Sequence, residues 1–471
     1  MGKPVPIKFA THSYKLDSMQ VSAQRCVNAY AERQPPDARS QITVRGTPGI
    51  TDWAECGAGP VRQMHTMAGV PYVVSGNLLY TIDRYGTETE IGAGIVGTDP
   101  VQMADNGTEV GIVSGDFGWT YDSTNGLRLI TSPYFYGANT IAFFKSLFCF
   151  DRPNTNEFFH SASLDGQTYT ALNSGTAETS SDLVMAVTEY KGNLIVWGEK
   201  TTEPWFFSGA VAFPFQQYDG AAIQRGLGAS LAVAKEDEAL FFLGDDRVAY
   251  RLVGLQPQVQ STHAIAEAWQ KHESVTDAHT FSYTFNGHKF IVFQFPTANE
   301  TWVLDVATGL WHERDSIDPG GTLVRWRGNC STPAYGKVLI GDRFTGKVGY
   351  LDGSTYDEFG DTVYMKLVAP VIHGDGNRVF MNYFELEVET GVGLATGQGS
   401  DPQIMLAISE DAGHTYYPIE HMQSMGTTGK YRELLRWTQC GSFYNGVVKI
   451  EISDPVRRTI VAARADVDLG T

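Results

Sequence analysis

Short apolar runs, punctuated by Gly, Asn and Asp, recur along the first three quarters of the chain. They read PYVVSGNLLYTID (71–83), EVGIVSGDFGWTYD (109–122), SLFCFDRP (146–153), NLIVWGEKTTEPWFFSG (193–209), ALFFLGDDRVAYRLVG (239–254), KFIVFQFPTANETWVLDVATGLWHER (289–314) and KVLIGDRFTGKVGYLDG (337–353). The common form is an apolar strand, a turn and a second strand holding an aromatic. Turn residues such as Gly76-Asn77 and Asp245-Asp246 tolerate positive φ, and the flanking Val, Ile, Phe and Tyr suit a pleated surface. The units start roughly 36 to 50 residues apart, the spacing of four-stranded propeller blades. A blade buries its faces only against its neighbours, so six or seven units would close a ring and protect the edges. The strongest unit is Trp302-Val303-Leu304-Asp305, Thr308-Gly309 and Trp311, a kelch-type strand–turn–Trp pattern.

One helical signal interrupts the series. Ser261-Thr262 can cap HAIAEAWQKH, where Ile265, Ala268 and Trp269 share one face. This predicts a helical insertion near 262–275, between blades. Near residue 361 the pattern changes to longer, strictly alternating strands, among them NRVFMNYFELEVET, PQIMLAISEDAGHTYY, GVVKIEIS and TIVAARADVDL. These predict an antiparallel β-sandwich. Residues 1–50 are polar, carry Pro35-Pro36 and show weak periodicity, so they are expected to form an extended arm. The arm would pack on the propeller or reach a neighbouring subunit. The predicted organisation is all-β: an arm over 1–50, a β-propeller over 51–360 and a β-sandwich over 361–471.

Composition narrows the class. The 471 residues are 42% hydrophobic and only 19% charged, enough apolar material for a packed core. The formal charge of −18 argues against broad nonspecific wrapping by DNA, which needs basic surface to neutralise phosphates. Five scattered cysteines (Cys26, Cys56, Cys149, Cys330, Cys440) form no CxxC pair, so neither a zinc knuckle nor a disulfide framework is indicated. The opening MGKPVPIKFATHSYKLDS lacks the apolar stretch of a signal peptide, and Pro6 fails the Ser/Thr requirement of a myristoylation signal. No apolar run approaches a membrane span. The protein is expected to be made in a reducing cytoplasm and to stay soluble unless something else carries it out.

Candidate chemistry is sparse. Gly92-Ala93-Gly94-Ile95-Val96-Gly97 matches GxGxxG, but a dinucleotide site needs a helix starting there, and Thr98-Asp99-Pro100 follows. A glycine-rich interblade turn is the better reading. Residues 409–416, SEDAGHTY, have the order of an Asp box, with a shorter cousin at 163–169, SLDGQTY. In such a hairpin the Ser and Asp side chains bond turn amides, Gly takes the left-handed position and the aromatic packs beneath. A sialidase-like or glycan-binding propeller is the alternative this motif raises. It would also need clustered arginines, a Tyr nucleophile and an acid, and the sequence identifies none. His263, His272 and His279 lie in one segment but lack metal-ligand spacing. Arg457-Arg458 follows a Ser453-Asp454-Pro455 turn, read as a solvated loop or a subunit contact. No catalytic, cofactor-binding or metal-ligating residue is assigned, and no enzyme activity is expected.

Several strings are jointly recognisable. They are Val27-Asn28-Ala29-Tyr30-Ala31-Glu32; Thr47-Pro48-Gly49-Ile50; Pro71-Tyr72-Val73-Val74 with Leu79-Tyr80-Thr81-Ile82-Asp83; Gln224-Arg225-Gly226-Leu227-Gly228; and Gly254-Leu255-Gln256-Pro257 through Ser261-Thr262-His263-Ala264-Ile265. The C-terminal part adds Gly399-Ser400-Asp401-Pro402, the Asp-box hairpin, Gly426-Thr427-Thr428-Gly429-Lys430-Tyr431 and Arg436-Trp437. In order and spacing, from about residue 25 to the C-terminus, the chain resembles the packaged-DNA stabilisation proteins of short-tailed phages, also called tail accessory factors or tail hub proteins. One departure is Gly226-Leu227, where many relatives have Gly-Cys.

The resemblance implies a non-enzymatic virion protein, assembled in the host bacterial cytoplasm. It implies a ring of copies of this chain, usually a homohexamer, below the portal and its adaptor, the head-to-tail connector. Such a ring extends the channel for double-stranded DNA, retains the packaged genome, and offers docking sites for a tail needle or tip and for tailspikes or fibres. Six copies at −18 each would carry about −108 formal charges, and an acidic lumen would let DNA slide instead of stick. A host-type kelch scaffold is a third reading of the same repeats.

Overall fold

The computed structural model describes residues 4–177, 182–211, 213–417 and 421–470. The alternating runs form antiparallel meanders. Six four-stranded blades are contiguous in sequence, spanning 61–93, 102–129, 141–176, 184–217, 233–259 and 279–313. A seventh unit is composite. Its strands Gly328–Ala334, Lys337–Asp342 and Lys347–Asp352 pair in order with Gly49–Glu55 from near the N-terminus, and this closes the ring.

Apolar side chains from facing blades make the core between each pair. Val61, Met64 and Val73 of the first blade pack on Cys330, Leu339 and Val348 of the closing unit. Tyr283, Phe290 and Val292 of the sixth blade pack on Trp326, Ile340 and Leu351 of that same unit. Burying one such side chain is worth about 1.5–3 kcal/mol, so the ring is held by many moderate contributions.

The kelch-like turn shows why the hairpins form. Asp305 accepts hydrogen bonds from the Ala307 amide (3.0 Å) and the Thr308 hydroxyl (2.7 Å), and Gly309 takes φ 72°. Asp342 repeats the pattern with the Phe344 amide (3.3 Å) and the Thr345 hydroxyl (2.6 Å). There Gly346 is needed for another reason: a Cβ would lie 2.1 Å from the Gly57 carbonyl oxygen.

The α-helix α1 (His263–Gln270) lies between the fifth and sixth blades. Thr262 caps it by accepting the Ile265 amide, a device worth about 1 kcal/mol. Trp269 packs against Phe293, Phe295 and Trp311.

The C-terminal domain is a sandwich. One layer is built on Val379–Val388 and Thr459–Leu469, the other on Met365–Val368, Gln403–Ser409 and Asn445–Ile452. Phe384, Leu386, Ile404, Leu406, Trp437 and Ile450 fill the space between them. Alternation is plain at Leu435–Thr438, where Leu435 and Trp437 are buried and Arg436 and Thr438 exposed.

Of the residues 1–50 expected to run as an extended arm, the described ones (4–50) are drawn into both domains. Val5–Ile7 and Ile42–Gly46 pair with the long sandwich strand Thr459–Leu469. Ala23–Val27 pairs antiparallel with Met365–Val368 and makes a parallel bridge from Val27 to Glu313. The sixth blade therefore runs, through this strand, into the sandwich as one continuous sheet. Gly49–Glu55 lies across the expected boundary at 50/51.

Candidate functional site at the junction of propeller and sandwich

The short link between Ala23–Val27 and Ala29–Arg33 is a single residue, Asn28, fully buried at φ 52°. Asn tolerates this left-handed conformation better than most residues. Its side-chain amide donates to the carbonyls of Asp315 and Tyr364, both at 2.9 Å, and its side-chain oxygen accepts the Asp315 amide at 3.1 Å. The Thr47 amide bonds the Asn28 carbonyl. One residue thus ties the N-terminal strands, the propeller exit and the sandwich entry.

Beside it lies a buried polar network. Glu358, 2% exposed, accepts from Arg314 (3.0 Å), the Ser316 hydroxyl (2.6 Å) and the Trp326 indole (2.7 Å). Arg314 stacks on the Trp326 ring at 3.7 Å and donates to the Tyr283 hydroxyl and the Pro48 carbonyl. Arg327 grips Asp342 with two parallel bonds of 3.1 and 2.9 Å, and reaches Asp361 and the Glu358 carbonyl. Burial works against the Arg327 charge, but Asp342 outweighs it and raises its pKa. Arg25 forms a double contact with Glu313, which also accepts the Ser13 hydroxyl, and the Glu313 charge raises the Arg25 pKa. Asp315 is pushed up to about 6 by burial and by the neighbouring Glu313.

A cavity of about 370 Å³ opens at this junction, between Tyr30, Phe285, Tyr356 and the Arg457-Arg458 loop. The solvated-loop reading is corrected for Arg458 alone, since the Arg457 side chain stays 61% exposed. Arg458 is only 3% exposed and donates to the carbonyls of Asp454 and Tyr356, while Arg457 bonds the Tyr356 hydroxyl and Glu389. The pair is a contact within the chain, between sandwich and propeller exit, because the turn at 453–455 folds back onto the domain seam. Burial lowers the Arg458 pKa to about 10.

The other singled-out motifs lie apart from one another. In the glycine-rich segment, Gly92 and Ala93 end the outer strand of the first blade. Arg62 donates to the carbonyls of Ile95 and Val96, so the loop offers oxygens to a cation instead of amides to a phosphate. In the Asp box at 409–416, the Ser409 hydroxyl bonds Asp411 and accepts the Gly413 amide, and Asp411 takes both the amide and the hydroxyl of Thr415. Burial pushes the Asp411 carboxyl up, but these bonds outweigh it and hold it at about 2. In the shorter hairpin Asp165 takes the Gln167 amide, and the Tyr169 hydroxyl bonds the Gly166 carbonyl.

The three histidines of one segment separate. His263 is exposed, His272 meets Glu300 at 3.1 Å, and His279 is buried at the propeller centre. All five cysteines are buried and unpaired. Among the described residues no group of three or more His, Cys, Asp or Glu is placed to hold a metal ion, and no helix is long and apolar enough to cross a membrane.

Sequence reasoning missed Asn28 and the Arg–Glu network as elements of the junction. An Asn between two short apolar strands was the available signal for the first; nothing local marks the second.

Among solved structures, likeness is confined to architecture. The chain is 9% identical to the extracellular domain of a putative hybrid two-component system from B. thetaiotaomicron, covering 74% of this chain and 45% of that one at a TM-score of 0.44. The WD40 propeller domain of Doa1 is 11% identical, with 65% and 97% covered and a TM-score of 0.42. A computationally designed protein, Ika8, is 10% identical, with 64% and 99% covered and a TM-score of 0.37. None of these bears on function. No curated protein matches the sequence. Family models do match, and they span both domains: residues 10–356 fit the β-propeller of bacteriophage P22 Gp10, and residues 364–468 fit its β-sandwich. The chain therefore belongs to the bacteriophage P22 Gp10 family of phage structural tail and DNA-stabilisation proteins.

Proposed function

We propose that this chain is a tail hub segment. It assembles as a closed ring, a homohexamer, below the portal and adaptor. There it extends the DNA channel, retains the packaged genome, and presents docking sites for the needle or tip and for tailspikes or fibres. Family membership supports a structural tail protein. The observation that carries the finer reading is the stitching of the two domains by residues 5–55, through a continuous sheet and a buried ionic network. A load applied to the sandwich passes into the propeller without a flexible linker, as a part holding pressurised DNA requires. The formal charge of −18 per chain suits a wall past which DNA must slide. Asp411 and Asp165 both accept amides of their own turns, so the two Asp boxes lend the glycan reading no support.

The test is deletion of the gene from its phage genome. Heads are expected to fill and then lose DNA, with tail parts unattached, and the purified chain added back is expected to form rings on portal–adaptor complexes. Stable, DNA-filled particles in the deletion would refute DNA retention. A chain that stays monomeric beside portal and adaptor would refute the ring.

A further inference from the structure

A second cavity, of about 500 Å³, lies at the centre of the propeller, on the face where the inner strands begin. Three arginines line it, and their environments differ. Arg62 is consumed: its guanidinium donates to the carbonyls of Gly76, Ile95, Val96 and Asp99 and to the Ser114 hydroxyl. Arg325 is 8% exposed, yet its Nη1 has no partner among the described residues. Among the described residues the Arg343 guanidinium, stacked on the Phe344 ring at 4.2 Å, bonds only the Arg325 carbonyl, at 3.4 Å, and its Nε is likewise buried and unbonded. His279, also 8% exposed, has neither ring nitrogen in hydrogen-bond geometry among the described residues, although the Asn329 and Asp277 backbone lies close, and burial and the Arg325 charge hold its pKa at about 3.

Three carboxylates bear on this group: Asp277 on Arg325, and Asp342 and Asp318 on Arg343. Asp277 uses Oδ2 for the amide and hydroxyl of Thr297, both at 2.7 Å, and its Oδ1 is buried and unbonded. Asp342, next to Arg343, is already held by Arg327. Asp99 is exposed, and its carbonyl bonds Arg62. The centre thus gathers buried donors without partners from the sixth and closing units, together with the unbonded Asp277 Oδ1. Such groups are costly to bury unless something completes their hydrogen bonds. Burial and the charge of Arg343 also press the Arg325 pKa down to about 9, with Asp277 pulling the other way.

We propose that this cavity is a phosphate site, taking inorganic phosphate or a phosphomonoester. Arg325, Arg343 and His279 donate to its oxygens, and Asp277 Oδ1 accepts from a protonated one. That acceptor confers selectivity: hydrogen phosphate has a P–OH to offer and sulfate does not. Nothing in this assignment depends on the hub reading, since the site lies within one chain.

The test uses the full-length chain purified without phosphate. Thermal unfolding is followed in phosphate, sulfate and chloride at matched ionic strength. Phosphate is expected to raise the Tm saturably, by about 2–4 °C at concentrations well above Kd. Sulfate is expected to do less, and Asp277→Asn to bring the two anions level. The shift is expected to vanish in Arg325→Met and in Arg343→Met. Should a variant not fold, a wild-type crystal soaked in phosphate supplies the readout, as density between Arg325 and His279. Competition by a deoxynucleoside monophosphate would mark a phosphomonoester site, and its failure a free-ion site; either supports phosphate recognition. Equal Tm in phosphate and chloride, a shift that survives both arginine substitutions, or water alone in the soaked crystal would each overturn the proposal.

Discussion

Arg325 and Arg327 are two residues apart on one segment, and the fold treats them in opposite ways. Arg327 turns toward the domain junction and meets Asp342 in a two-bond clamp, which favours its charge. Arg325 turns toward the propeller centre and finds no two-bond carboxylate partner, and burial and Arg343 press its pKa down to about 9. The Arg327 clamp is matched charge to charge, while Arg325 leaves a buried nitrogen without a partner among the described residues. A buried ion pair often adds little net stability over an apolar replacement, yet removing one partner is expensive, because it strands the other charge. The junction is therefore a place where single substitutions do great harm, and the centre a place where they do little unless a ligand is present.

The sharpest way to break this comparison is a matched pair of substitutions. Arg327→Met leaves Asp342, fully buried, without its cation, and is expected to cost about 3–5 kcal/mol in urea unfolding. Arg325→Met, measured in phosphate-free buffer, is expected to stay within about 1 kcal/mol of the parent, or to gain stability. Equal losses in the two variants would erase the distinction.

Acid sharpens it next. His312 lies at the junction, and burial followed by the Arg314 charge hold its pKa at about 3, against an ordinary 6.5. The unfolded chain therefore binds a proton that the folded chain refuses. The stability from this group is complete above pH 6.5 and falls away as pH drops from 6.5 toward 3. Near pH 5 the loss is about 2 kcal/mol. Asp151 and Asp315, each raised to about 6 with burial as the first cause, act in the opposite sense over part of the same range. A variant isolates the histidine: His312→Phe is expected to reduce the stability change between pH 8 and pH 5 by about 2 kcal/mol relative to the parent. An unchanged pH profile would mean that His312 takes up its proton in the folded chain.

The smallest effect belongs to the exposed edge of the junction. Arg457 is 61% exposed beside Glu389, and Arg457→Ala is expected to shift the unfolding free energy by less than about 1 kcal/mol. A loss as large as that of Arg327→Met would show that the seam is held from its rim and not from its interior.

The fold was largely legible in advance. Each hairpin carries its own turn chemistry, as at Asp305-Thr308-Gly309, and its own alternation of buried and exposed positions, as at Leu435–Thr438. Helix α1 was marked by Thr262 and by Ile265 and Trp269 on one face. The composite closing blade was not legible, because its fourth strand, Gly49–Glu55, comes from the opposite end of the propeller segment. The junction was legible only in part. Asn28 and the Thr47-Pro48-Gly49-Ile50 string stood out as family-like, but nothing in them disclosed that they meet at the Asn28 carbonyl.

Sequence alone settled the strand–turn–strand repeat, the change to longer alternating strands near residue 361, and hence an all-β propeller followed by a sandwich. These follow from period-two burial and turn geometry, which act over a few residues. Tertiary structure alone decided which charges are matched. Arg25 and Glu313 are 288 positions apart, and Arg314 and Glu358 are 44 apart. The reason is physical: a guanidinium's state depends on the carboxylates and burial around it in space, and the residues beside it along the chain do not specify either.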